Sequence, residues 1–137
     1  MGDETNVREA VPFFRVAEIE RSRRFYIDGL GFVMTRSWSP EGQLRWCSLK
    51  LGDASVMLQT RQATMPATHE AVSICFQCRD ALALYRQFRA RGLDASRPFV
   101  GNNMWVTMVV DPDGFRLEFH SPTDAGEDSE YDDASAS

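Results

Sequence analysis

The strongest constraint on this chain is that it repeats itself. At an offset of 59 residues Trp46 meets Trp105, Ser48 meets Thr107, Leu49 meets Met108 and Leu51 meets Val110. Leu58 then meets Leu117, Gln59 meets Glu118, and further upstream Tyr26 meets Tyr85. A self-match this long implies two copies of one supersecondary unit, and it outranks any single motif.

Hydrophobic periodicity gives each copy the same order of elements. Val11 to Val16 reads as a strand. Glu18 to Leu30 has helical spacing, with Ile19, Ser22, Tyr26 and Leu30 on one stripe and Gly29 and Gly31 at its end. Strands follow at Phe32 to Trp38, Leu44 to Leu51 and Ser55 to Thr60, with turns at Ser39–Gly42 and Gly52–Asp53. After a polar connector, Gln62 to Glu70, the order returns. Val72 to Cys78 is a strand, and Asp80 caps a helix from Ala81 to Arg91. Ala95 to Val100, Met104 to Val110 and Phe115 to His120 complete the second set, with Asp111–Gly114 as a turn. The predicted fold is α+β: two βαβββ modules, about 10–60 and 71–121, in a single domain spanning 1–122. Each sheet has one face under a helix, and the two sheets, edge to edge, leave their other faces lining an open cup.

Charge separates this body from its end. The last fifteen residues hold Asp124, Glu127, Asp128, Glu130, Asp132 and Asp133 and no Lys or Arg. Removing them from the total of −5 leaves 15 basic and 14 acidic residues. Residues 123–137 therefore read as an acidic, disordered tail. A nearly neutral body gives no footprint for nucleic acid. No apolar run reaches the length of a membrane span. MGDETNVREA has neither the basic start nor the apolar stretch of a signal peptide, so the expected location is cytoplasmic, with Cys47, Cys75 and Cys78 reduced.

Two segments carry a family resemblance. FRVAEIERSRRFYIDGLGF resembles the opening, and DPDGFRLEFHSP the closing hairpin, of the glyoxalase/bleomycin-resistance/extradiol-dioxygenase group, the vicinal oxygen chelate superfamily. The resemblance covers about Ala10 to Pro122 and supports the two-module fold. It implies four metal-ligand slots, two per module, on the first and last strands. Those slots fall on Val11, Gln59, Ser73 and Glu118. Only Glu118 is a good ligand, and a transition metal with one carboxylate and no imidazole is poorly held. The expectation is no metal and no cofactor, which makes the metal-free, antibiotic-binding members the nearer comparison. The resemblance also implies a homodimer.

Alternation then picks out the cup residues. Phe115, Leu117 and Phe119 face a helix, so Arg116, Glu118 and His120 face the cup. Met57 and Gln59 do the same on their strand. Phe13 and Arg15 share a face on the first strand, and Ser73 lies on the fifth. Trp46 and Trp105 are repeat-equivalent and wall the cup from opposite sides, or else pack in the core. Candidate ligand-binding residues are thus Phe13, Arg15, Trp46, Met57, Gln59, Ser73, Trp105, Arg116 and Glu118. Glu118 is expected to pair with Arg15 or Arg116. His69 is read as a surface-loop histidine, and His120 as a strand-end histidine or an acid–base partner of Glu118. Cys75 and Cys78 point to opposite faces of a strand, so they are not a joint metal or redox motif. The leading expectation is a small-molecule binder that sequesters an antibiotic-like compound. Two alternatives stand beside it. One is an enzyme in the same cup, either a lyase/isomerase using Glu118 and His120 as catalytic residues or a metal-dependent glyoxalase/dioxygenase. The other is a structural module whose cup is filled by its own side chains.

Overall fold

The computed structural model describes residues 9–62 and 72–132. His69 lies outside them. Two four-stranded sheets form, each with one long helical segment. In the first module β1 (Phe13–Val16) leads into α1 (Ile19–Arg24), which runs on as a π-helical turn (Phe25–Gly29). Then come β2 (Val33–Trp38), β3 (Trp46–Leu51) and β4 (Ala54–Thr60). The second module repeats this with β5 (Ser73–Gln77), α2 (Ala81–Ala90), β6 (Phe99–Gly101), β7 (Met104–Val110) and β8 (Arg116–Pro122). Strand orders are β1-β4-β3-β2 and β5-β8-β7-β6, with the first pair in each parallel and the rest antiparallel.

Local chemistry explains the helices. Ile19, Ser22 and Tyr26 are buried at helical spacing, so one stripe seats α1 and its extension on the first sheet. Gly31 ends the segment at φ 96°, a conformation costly for any residue with a Cβ. Asp80 caps α2 as expected, its Oδ1 accepting from the Ala83 N–H at 3.0 Å. Two further bonds fix the start of α2 to the second sheet: the Ala81 N–H donates to Ser121 Oγ, and Thr107 Oγ1–H donates to the Ala81 carbonyl, both at 2.8 Å.

The modules share one core, built from the helix-bearing side of each sheet. Phe14, Val16, Cys47, Leu49, Val56 and Leu58 come from the first sheet, and Phe76, Val109, Leu117 and Phe119 from the second. Phe14 stacks on Phe115 with ring centres 4.3 Å apart, and Phe32 meets Phe76 edge-on at 6.1 Å. Among the described residues the two sheets share no hydrogen-bonded ladder. The other face of each sheet stays open, and no ion pair or ring contact joins one open face to the other among the described residues.

The acidic end departs from expectation over 123–132. Ser129 and Asp128 exchange backbone bonds with Val100 at 2.8 and 2.9 Å, and Glu130 bridges Phe99. Tyr131 is buried and meets Tyr85 edge-on. The disordered-tail reading fails here because one aromatic in an otherwise polar stretch has apolar surface to bury. Residues 133–137 lie outside the described set.

One buried polar pair locks the first helix to the second module. Tyr26 O–H donates to Asp111 Oδ2 at 2.9 Å, while Asp111 Oδ1 accepts from the Asp113 and Phe115 N–H groups. Burial raises the Asp111 carboxyl above its ordinary 3.8, against the lowering effect of those three donors. Between the unfolded and the raised folded value, the folded chain holds a proton that the unfolded chain has released. Stability from this group is therefore greatest at low pH and falls as pH rises through the folded value. Asp111→Asn can keep all three bonds, with the tyrosine accepting instead, but cannot ionise. The urea midpoint of the variant, relative to the parent, should rise from about pH 4 to about pH 7. A pH-independent difference contradicts this account.

Candidate functional site

Period two sorts the strands into covered and open faces. On the first sheet, rows run across the open face as Phe13–Met57–Ser48–Arg36 and Arg15–Gln59–Trp46–Trp38. On the second they run as Ser73–Arg116–Val110, Cys75–Glu118–Met108 and Gln77–His120–Val106. The structure thus brings Phe13, Arg15, Trp46, Met57 and Gln59 together on one open face. It brings Ser73, Arg116, Glu118 and His120 together on the other.

Trp105 is the exception. It pairs with Ser121 and Val100 on the helix-covered face and packs against the core. The reason lies in the hairpins. The β3–β4 turn has two residues, Gly52 and Asp53, whereas β7 and β8 are joined by five, 111–115. Three extra residues shift β7 by an odd number, and an odd shift reverses every side chain. The position opposite Glu118 that corresponds to Trp46 opposite Gln59 is Met108. Trp105 is therefore removed from the cup.

The open face of the first sheet is aromatic and cationic. The Arg15 guanidinium carbon lies 3.8 Å from the centre of the Phe13 ring, a cation–π distance. Phe13 is 38% exposed and Trp38 57%, large apolar surfaces to leave in water. Arg15 makes no ion pair among the described residues.

The open face of the second sheet holds a tight polar cluster. His120 Nε2 is 3.0 Å from Glu118 Oε1, and Cys75 Sγ is 3.8 Å from that oxygen and 3.6 Å from Nε2. Glu118 is thus partnered by His120 and Cys75, and the expected pairing with Arg15 or Arg116 is not among the ion pairs of the described residues. Burial first, then the neighbouring Glu118 charge, raises the Cys75 thiol above its ordinary value, so it is no activated thiolate. From the sequence Cys75 reads as a structural cysteine that can line the cup in phase with Ser73; its contact with Glu118 is the part not read there. Its signal was the parallel register, which sets it directly beside Glu118. Cys78, just past the strand, lies away from this group, its Sγ 3.4 Å from the His120 carbonyl.

The superfamily's metal slots can be tested against this geometry. Val11 offers no donor atom, and Gln59 stands beside Arg15. Ser73 pairs with Arg116, one row from Glu118. That four-residue set does not fit a transition metal.

Two βαβββ modules with open sheet faces define a protein of the glyoxalase fold. The sequence matches the family model of the Glyoxalase/Bleomycin resistance protein/Dioxygenase superfamily over residues 10–119. The chain belongs to that superfamily. A search of curated proteins returns no match. Among solved structures, the chain is similar to TnmS3, an antibiotic-binding protein from Streptomyces sp. CB03234. The TM-score is 0.68 at 22% identity, covering 87% of this chain and 100% of that one. A bleomycin-binding protein complexed with bleomycin gives 0.68 at 20%, covering 84% and 98%. TioX from Micromonospora sp. ML1 gives 0.66 at 18%, covering 87% and 99%. At these identities the likeness is one of fold. No helix among the described residues is long and apolar enough to cross a membrane.

The two tryptophans provide a test of the phase assignment. Trp105→Ala should cost about 2 kcal/mol or more of stability, the range for truncating a largely packed aromatic. Trp46→Ala should cost well under half as much and instead change the binding properties of the open face. Urea unfolding of both variants checks this, and equal losses would contradict it.

Proposed function

We propose that the protein captures a small organic molecule on its open sheet faces, in a cup completed by a second copy of the chain. One observation carries the reading: the first sheet presents Phe13, Arg15, Trp46 and Trp38 on a face that no helix among the described residues covers. Aromatic walls with a few fixed polar groups are the composition of a small-molecule pocket. Arg15 suits a carboxylate or phosphonate, and the aromatic rings suit a planar body. Phe99 and Val110 leave comparable apolar surface on the second sheet. Closing one chain's first sheet over another's second sheet would bury both, with the two-fold symmetry usual for such pairs. The bleomycin complex and the antibiotic-binding TnmS3 support a sequestration role for this architecture.

Catalysis is the second reading, favoured by the Glu118–His120 contact alone. A binder returns its ligand unchanged, whereas a lyase or isomerase converts it. Incubation followed by mass spectrometry of the recovered compound separates the two.

Light scattering at micromolar concentration should give twice the chain mass. A panel of planar antibiotics, anionic and cationic, should contain compounds that raise Tm. For the best of these, Trp46→Ala and Arg15→Ala should each weaken calorimetric affinity about tenfold or more, one hot-spot contact's worth. A monomer that binds none of them, or affinities untouched by both substitutions, would overturn the proposal.

A further inference from the structure

The cluster on the second sheet has the geometry of a metal site different from the one its superfamily uses. Cys75, Glu118 and His120 place one donor atom each, Sγ, a carboxylate oxygen and Nε2, within 4.8 Å of one another. The triangle has edges of 3.0, 3.6 and 3.8 Å. Tetrahedral Zn²⁺ with one sulfur, one nitrogen and one oxygen ligand separates those atoms by about 3.4–3.6 Å. The observed edges sit within a few tenths of an ångström of that, so a cation needs only small side-chain movements to enter. We infer that Cys75, Glu118 and His120 form a three-donor site for a thiophilic divalent cation such as Zn²⁺, with a fourth position open to water or solute.

Register makes the cluster. Cys75 and Glu118 are direct partners across the parallel β5–β8 pair. His120 is two residues along β8, hence on the same face. All three belong to one module of one chain. The superfamily set draws a pair from each of two modules, and here it fails at Val11 and Ser73. Neither Cys75 nor His120 occupies any of those four slots, and the site needs no second copy. A sulfur donor also changes the metal preference, away from Mg²⁺ and Ca²⁺ and toward Zn²⁺, Cd²⁺ or Co²⁺.

A nucleophilic triad is the competing reading of the same three residues, and the geometry speaks against it. In a relay the base uses one ring nitrogen for the nucleophile and the other for its orienting carboxylate. Here the same Nε2 meets both Cys75 Sγ and Glu118 Oε1. Convergence on one point is the pattern of ligands. On binding, the thiol S–H bond breaks, its proton passes to solvent, and the sulfur lone pair forms the metal–sulfur bond. No oxidant or reductant is involved.

The inference does not rest on small-molecule capture: its three donors come from one chain's second sheet, and the metal titrations that test it need no organic ligand. The test uses the full chain, reduced and stripped with chelator, titrated with ZnCl₂ by calorimetry and with CoCl₂ by absorption spectroscopy. One Zn²⁺ per chain is expected. Co²⁺ should give a thiolate-to-cobalt charge-transfer band with tetrahedral ligand-field absorption. Cys75→Ser should abolish the charge-transfer band, and both Cys75→Ser and His120→Ala should weaken Zn²⁺ binding at least tenfold. Cys78→Ser, outside the triangle, should change neither. Circular dichroism on each variant shows that it folds, and if Cys75→Ser or His120→Ala misfolds, Glu118→Gln takes its place with the same tenfold loss expected. Zn²⁺ binding unaffected by these substitutions, a Co²⁺ complex without the thiolate band, or no binding at 1:1 stoichiometry would overturn the assignment.

Discussion

Each four-stranded sheet here has one helical segment to cover it, and one helix covers one face. Everything functional follows from that shortage. The covered faces meet in a common core, where Phe14 stacks on Phe115 and Phe32 meets Phe76 edge-on. The Tyr26–Asp111 bond holds the first helix against the second module's hairpin. Binding potential is left on the uncovered faces, which keep alternate side chains of every strand in or near solvent. Exposed Phe13, Trp38, Phe99 and Val110 are the mark of that arrangement.

The two open faces differ in chemistry although the modules share a plan. The first is aromatic and cationic, with Arg15 laid over Phe13. The second concentrates its donors in Cys75, Glu118 and His120. Duplication supplied the same positions twice: Gln59 and Glu118 occupy corresponding places, beside Arg15 and Cys75 respectively. Different residues beside those positions give the two faces different chemistry. Arginine beside glutamine suits an anionic or aromatic solute, while cysteine beside glutamate and histidine suits a soft cation.

Much of this was legible in the sequence. The repeat gave the module order, Asp80 announced its cap, and the alternation Phe115–His120 put Arg116, Glu118 and His120 on one face of the strand, opposite Leu117 and Phe119, as the register has them. What escaped had physical causes. The repeat aligned Trp46 with Trp105 because a fixed offset cannot see a turn three residues longer, and an odd insertion turns a cup residue into a core residue. Tyr131 was lost in acidic composition, though a single aromatic suffices to dock a chain end. Cys75 was missed as a partner of Glu118 because parallel register joins residues 43 positions apart, a distance at which no local pattern operates. The contacts between modules, such as Tyr26 with Asp111, rest on single residues and carry no period.

In the proposed function the open face of the first sheet becomes an enclosed binding wall. The most direct measurement is iodide quenching of Trp46 fluorescence in a chain where Trp38 and Trp105 are replaced by Phe, followed across dilution and ligand addition. The indole should be shielded at high protein concentration, more shielded with a bound compound, and exposed as the chains separate. An indole equally open to iodide under all three conditions would contradict it.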